Sequence, residues 1–282
     1  MTTNLTTGAL LARAVSQLRA AGSESPALDA ELLLAHVLGS PRSRLKSHPE
    51  EVPPAAATRR FEELLARRAA GEPMAYLLGY RDFWTLRLAV SPAVLVPRPE
   101  TELLVERALA LRPQAHGRVL DLGTGSGAIA LALASERPQW NVTGTDTSEE
   151  ALAVARANAQ AHGLMRVRFL LGSWFEPVGE ERFDLVVSNP PYIGANEPEL
   201  RSPALQREPR TALSPGEDGM ASLRTIIRDA PPHLEHGGWL LLEHGSTQAA
   251  EVARELVARG FRHVRSHRDL GGHERMTEAQ WG

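Results

Sequence analysis

The sequence predicts an α/β protein, in which a mostly parallel sheet with helices on both faces follows a small helical bundle and a β-hairpin linker. Three observations carry this. Residues 8–75 hold amphipathic helical patterns with no strand pattern between them. The stretch from Tyr80 to Pro97 turns aromatic and β-branched. From Pro99 onward, short apolar runs alternate with helical ones, the pattern of a parallel sheet covered by helices. The expected domains are 1–76 (helical), 77–98 (hairpin linker) and 99–282 (sheet domain).

Each element has a local reason. In "TGALLARAVSQLRAAG", Leu10, Ala14, Val15 and Leu18 share one helical face. "SESPALDAELLLAHVLGSP" has Ser25 to cap the helix, Pro26 for its first turn, and Gly39 and Pro41 to stop it. "TRRFEELLARRAAGEP" is a third helix ended by Gly and Pro. "YRDFWTLRLAVSPAVLVP" reads as a hairpin turning at Ser91-Pro92. Next come the strand "RVLDLG", the helix "GAIALALASE" and the strand "NVTGTD". The helix "TSEEALAVARANAQAHG" places Thr147 and Glu150 at capping-box spacing. Strands "VRFLLG" and "FDLVVSN", a helix near Gly219–Ala230, the strand "GWLLLEHG" and another helix lead to two final strands joined at Gly271-Gly272.

Composition narrows the class. Of the 282 residues, 43% are hydrophobic and 23% charged, which excludes wholesale disorder. A net charge of −3 lacks the basic surplus of a dedicated nucleic-acid binder. The absence of cysteine removes disulfides and thiolate metal sites. The start, "MTTNLTTGALLARAV", lacks the basic segment and apolar core of a signal peptide, and no apolar run approaches a membrane span, so the expected setting is the cytosol. The ten histidines are scattered, and "HLEHGG" (His233, His236) reads as a helix end; no metal is expected.

Chemistry concentrates at two places. In "VLDLGTGSGAIALALA" a buried strand runs into Gly123, Gly125 and Gly127 and then a helix, so the backbone can pass beneath a ligand. The spacing is G-x-G-x-G, whereas a dinucleotide site reads G-x-G-x-x-G. Asp121 beside the loop disfavours a pyrophosphate and suits a ligand that is cationic there, such as S-adenosylmethionine. Asp146 ends the next strand, at the position from which an acid accepts ribose hydroxyls. Trp174, after the third strand, can pack on an adenine face or simply belong to the core.

The second place is "DLVVSNPPYIG", where Asn189-Pro190-Pro191-Tyr192 ends the fourth strand at the sheet's ligand-binding edge. Prolines lack N–H groups, so this corner offers acceptors and withholds donors. The Asn189 side-chain oxygen and the Pro190 carbonyl can both accept from one planar NH2 group, with Tyr192 lying against the group that bears it. That suits an amide or an exocyclic amine, held in line with an activated methyl group.

These stretches, with "GTDTSEEALAVARANA", resemble the class I S-adenosylmethionine-dependent methyltransferases that modify planar nitrogens. "GEPMAYLLGYRDFW", "VLVPRPETELLVE", "EPRTALSPGEDGM" and "LLLEHGSTQ" narrow the resemblance to the PrmC (HemK) family, over nearly the whole chain. The resemblance implies a Rossmann-like class I methyltransferase domain with a seven-stranded sheet whose last strand is antiparallel. It implies N5-methylation of the glutamine in the Gly-Gly-Gln motif of peptide chain release factors, the helical domain helping to hold that substrate. Gly123, Thr124, Gly125, Ser126 and Gly127 then match the cofactor loop, Asp146 the ribose acid and Trp174 the adenine-side aromatic. Asn189 matches a residue touching cofactor and substrate, and Pro190, Pro191 and Tyr192 complete the glutamine pocket. Asn189, Pro190 and Tyr192 are the expected catalytic residues. Ser173 stands where the family often has an acidic residue.

Three other readings use the same residues. An N6-adenine or rRNA methyltransferase needs the same nitrogen pocket, but also a basic surface and a way to extrude the base. A cofactor-binding module without catalysis needs only the glycine loop. A nicotinamide-dependent dehydrogenase fits neither the glycine spacing nor Asp121.

Overall fold

The structure, a computed structural model, describes residues 5–112 and 114–282; the first four residues of the expected helical domain lie outside this range. The chain divides into two compact units after Gly79. Among the described residues the first holds five helices: α1 (Thr7–Ala20), α2 (Pro26–Leu38), α3 (Arg42–Ser47), α4 (Ala55–Ala69) and α5 (Met74–Leu78). Leu10, Ala14 and Leu18 of α1 meet Leu33 and Leu34 of α2 and Phe61, Leu64 and Leu65 of α4 in one buried cluster. Pro26 does open α2 and Gly39 closes it in the left-handed conformation (φ 59°). Ser25 makes no capping bond; its hydroxyl instead donates to Asp29 Oδ1 (3.2 Å). Asp29 is buried and also pairs with Arg68 Nε of α4 (2.8 Å), a charge-assisted bond shielded from solvent.

The second unit begins with the hairpin β1 (Tyr80–Phe83) and β2 (Leu86–Ala89). Its turn is at Trp84-Thr85 and not at Ser91-Pro92, which follows the hairpin. Trp84 takes a positive φ of 54°, held there by its N–H on Glu102 (2.8 Å) and its indole N–H on Glu136 (2.7 Å). Phe83 and Leu88 join the core of this unit.

A 3-10 turn, Pro99–Thr101, leads into α6 (Glu102–Leu111). Then follow β3 (Gly117–Leu122), α7 (Ala128–Glu136), β4 (Trp140–Asp146), α8 (Glu149–Ala161), β5 (Arg168–Leu171) and β6 (Phe183–Ser188). The chain ends with α9 (Arg210–Leu213), α10 (Ala221–Asp229), β7 (Leu234–Glu243), α11 (Ala249–Arg259), β8 (Arg262–Arg268) and β9 (Glu274–Gln280). Ser148, one residue after the expected Thr147, caps α8 by accepting from Ala151 N (3.1 Å).

The sheet has seven strands in the order β5-β4-β3-β6-β7-β9-β8, and only β9 runs against its neighbours. Alternation in the strands serves two faces. Val119, Leu185 and Val187 pack with α6 and α7, whereas Leu120, Val186 and Leu240 pack with α10 and α11. Helix α7 is buried from Ala128 to Ala134, as its uniformly apolar sequence requires. Chain order reverses direction across the sheet between β3 and β6, and such a switch point opens a crevice at the carboxyl ends of those strands. The glycine loop leaves β3 there, and Asn189 leaves β6.

Candidate active site

A cavity of about 330 Å³ occupies that crevice, within the size range of small-molecule sites. The glycine loop forms its floor. Gly123, Gly125 and Gly127 all have positive φ (70°, 56° and 81°), which an L side chain would resist. The loop rests on β4 at Gly144, where an added Cβ would stand 2.8 Å from Thr124 Oγ1. Only hydrogen at Gly144 allows so close an approach.

Two aspartates brace the loop. Asp146 lines the cavity; its Oδ2 accepts from Gly125 N and its Oδ1 from Ser148 N, both at 2.9 Å. Asp121 is fully buried beneath the loop, with Oδ2 accepting from Thr124 Oγ1 (2.7 Å) and Ala130 N (3.2 Å) and Oδ1 unpartnered. Burial pushes its pKa up to about 7. It therefore does not face a ligand, as its place beside the loop suggested, and its direct work is to hold Thr124.

The cofactor-loop residues divide accordingly. Gly123 and Gly125 line the cavity with Asp146, Trp174 and Asn189, while Thr124, Ser126 and Gly127 are buried beneath. The Ser126 carbonyl accepts from Asn158 of α8 (2.9 Å). Trp174 takes a positive φ of 45°, its carbonyl held by Thr145 Oγ1 (2.9 Å), and its ring lies over Gly123. A non-glycine residue in that conformation costs about 1–3 kcal/mol and persists where surrounding contacts impose it. Ser173 is exposed at the rim, its N–H turned toward Glu176 Oε2 (3.4 Å).

The roof comes from two loops, Pro92–Leu95 and the segment holding Pro209 and Thr211. Glu208 clips them together: its carboxylate accepts from Val96 N (2.9 Å) and from Arg98 Nη2 (2.5 Å) with its side chain almost wholly buried.

At the β6 corner Asn189 and Pro191 line the cavity, Pro190 is buried and Tyr192 is half-buried. The Asn189 Nδ2 donates to Thr101 Oγ1 (3.1 Å), which leaves Oδ1 as the free end of the amide. The Tyr192 hydroxyl reaches Glu243 Oε1 (3.4 Å), at the end of β7. Gln248 pins the corner's backbone, donating from Nε2 to the Tyr192 carbonyl (3.0 Å) and accepting from Gly245 N at Oε1 (2.8 Å). Burial raises the pKa of Glu243 to about 7, opposed by the nearby Thr101 and Tyr192 hydroxyls. Burial, then the nearby Glu243, raises that of Tyr192, keeping the phenol neutral. Next in the chain, His244 is held neutral by burial, its Nε2 bonded to Thr277 Oγ1 (2.8 Å).

Thr101, Glu208, Glu243 and Gln248 were not singled out from the sequence. The signal existed, because "PRPETE", "EPRTALSPG" and "LLLEHGSTQ" are stretches that carry the family resemblance. Among the described residues, no group of three His, Asp or Glu is placed to hold a metal, and no helix is long and apolar enough to cross a membrane.

A seven-stranded sheet with one antiparallel strand, a glycine loop at its switch point and an acid ending the next strand define a class I methyltransferase fold. Residues 99–207 match the family model "Methyltransferase small domain", and residues 9–79 match "PrmC N-terminal domain". A methyltransferase structure from Pyrococcus furiosus is similar in fold, with a TM-score of 0.54 at 21% identity over 70% of this chain and 89% of that one. The chain is 52% identical to the release factor glutamine methyltransferase of Pseudomonas aeruginosa, over 92% of its own length and 94% of the relative's. It is 48% identical to that of Vibrio cholerae, over 99% and 98% respectively. The chain belongs to the release factor glutamine methyltransferase family.

Proposed function

We propose that this protein methylates the side-chain amide nitrogen of the glutamine in the Gly-Gly-Gln motif of peptide chain release factors, in the cytoplasm, with S-adenosylmethionine as donor. The observation that carries this reading is the Asn189 amide, tied back through Nδ2 with its oxygen end free at the cavity. The cavity residues fit such a cofactor: Asp146 keeps lone pairs for ribose hydroxyls, Trp174 offers a ring face to the base, and Gly123 and Gly125 let the backbone approach closely. When bound, the cofactor supplies an electrophilic methyl group, so the protein needs only to place the acceptor.

An amide nitrogen is a poor nucleophile because its lone pair is delocalised into the carbonyl. Asn189 Oδ1 and the Pro190 carbonyl accept its two N–H bonds and fix the NH2 plane. As positive charge develops on nitrogen, those two acceptors stabilise it more than they stabilise the ground state. Tyr192, neutral and braced by Glu243 and Gln248, supplies the flat wall. The proton lost from nitrogen after transfer is strongly acidic and needs no dedicated base.

The test is to incubate the protein with isotopically labelled S-adenosylmethionine and either a release factor or total RNA and DNA, then to map the product by mass spectrometry. One methyl group on the motif glutamine is expected. Label in nucleic acid alone overturns the reading.

A further inference from the structure

We propose that Gln248 is a positioning residue that clamps the Tyr192–Ile193 peptide and so aims the Tyr192 ring at the substrate amide, and that residue 219 is glycine so that this clamp can close. This rests on the nitrogen pocket described above and goes further by naming what holds its aromatic wall in place. Pro190 and Pro191 have φ locked by their rings, so the corner is stiff where it leaves β6. Tyr192 has no such lock, and rotation about its backbone would swing the phenol away from the acceptors. The hydroxyl's contact with Glu243 is long, at 3.4 Å, and holds only the far end of the ring.

Both ends of the Tyr192–Ile193 peptide are held. The Tyr192 carbonyl accepts from Gln248 Nε2 (3.0 Å), and the Ile193 N–H donates to the Leu213 carbonyl (3.0 Å). A peptide is planar, so fixing its C=O and its N–H fixes the plane, and with it the direction in which the Tyr192 side chain leaves the chain. The Gln248 amide cannot be turned round. Its Oε1 accepts from Gly245 N (2.8 Å), a backbone group that only donates, so its NH2 end is the one left for the Tyr192 carbonyl. Gly245 is held in turn, its own carbonyl accepting from Nδ1 of the buried His244 (3.0 Å). The space around the clamp is an independent observation. A Cβ added at Gly219 would stand 2.7 Å from the Tyr192 carbonyl oxygen and 3.1 Å from Gln248 Nε2, against both groups of the bond. Gly219 has no positive φ, so close contact and not backbone freedom demands glycine there.

The test compares Gln248→Met, Gln248→Glu, Gly219→Ala and Tyr192→Ala for methylation of a release factor, for affinity for S-adenosylhomocysteine and for hydrogen exchange at the Ile193 amide. Methionine keeps the length and removes both bonds, whereas glutamate keeps the acceptor for Gly245 and removes the NH2. Q248M should lose at least about tenfold in kcat with cofactor affinity within about twofold, as expected for lost orientation. Q248E should show most of that loss, because the arm to Tyr192 is the one that matters. G219A removes no hydrogen-bonding group, should lose turnover in the same direction, and carries the test should the Gln248 variants not fold. In all three, Ile193 exchange should quicken by about tenfold or more as the peptide is released on one side. In the Tyr192→Ala background, adding Q248M should cost no further turnover, since the ring it aims is gone. Wild-type kcat in Q248M or Q248E, unchanged Ile193 exchange, or a full additional loss in the double variant overturns the proposal. If Y192A itself turns over normally, the pocket reading fails; if Y192A is inactive while the Gln248 variants are unaffected, only the positioning role fails.

Discussion

The two corners of the cavity are built on opposite plans. The glycine loop after β3 is held by near neighbours: Asp121 reaches Thr124, three residues on, and Ala130, nine on, and Asp146 reaches back 21 residues to Gly125. All of this lies inside one strand–helix–strand unit. The corner after β6 is held from far away. Asn189 leans on Thr101, 88 residues earlier, and Tyr192 on Glu243 and Gln248, 51 and 56 residues later. A corner that accepts a cofactor needs close backbone approach, which glycines supply locally. A corner that orients a flat NH2 needs side-chain acceptors aimed within narrow angles, and a loop two prolines long cannot aim them without outside support.

The contrast can be broken at either end. The largest effect is expected at the distant-braced corner: Tyr192→Ala should lower kcat by roughly 100-fold or more, the scale of removing one transition-state contact, while calorimetry shows S-adenosylhomocysteine binding little changed. At the local corner, Asp146→Ala should weaken that binding by about 10- to 100-fold, the cost of losing charged hydrogen bonds, with a smaller effect on turnover at saturating cofactor. Gly144→Ala should cost about 1–3 kcal/mol in chemical denaturation, because its Cβ must push Thr124 and the loop away.

The smallest effect concerns Asp121, buried beneath the glycine loop. Asp121 has its pKa raised by the fold to about 7, so between the unfolded value near 4 and about 7 the folded chain holds a proton that the unfolded chain has lost. Its contribution to stability is then complete below about pH 4 and is lost as pH rises to about 7. Asp121→Asn removes this titration while keeping an acceptor for Thr124. Denaturation of the cofactor-free protein from pH 5 to pH 8 should show the variant gaining on the wild type as pH rises. A constant difference across that range would mean that Asp121 is not held protonated.

Much of the site was legible because it is local. Gly123, Gly125, Asp146, Trp174 and Asn189 all reach the cavity, each announced by where a strand pattern ends. The misreadings also have local causes. Ser91-Pro92 has turn chemistry, yet the hairpin turns at Trp84, whose positive φ is imposed by Glu102 and Glu136. Thr147 has capping-box spacing, yet Ser148 holds the cap because Asp146 takes the Ser148 N–H and sets where α8 begins. The place of Asp121 beside the loop suggests a carboxylate facing a cation, yet its side chain is buried against Thr124 and Ala130.

By itself, the sequence determined the succession of elements, the glycine loop and the donor-poor corner, since periodicity, backbone freedom and missing N–H groups are properties of neighbouring residues. Tertiary structure alone decided that Thr101, Glu243 and Gln248 stand behind Asn189 and Tyr192, and that Glu208 ties the two roof loops together. Those contacts join segments that meet only once the sheet has ordered its strands, and the direction of a hydrogen bond depends on which groups meet.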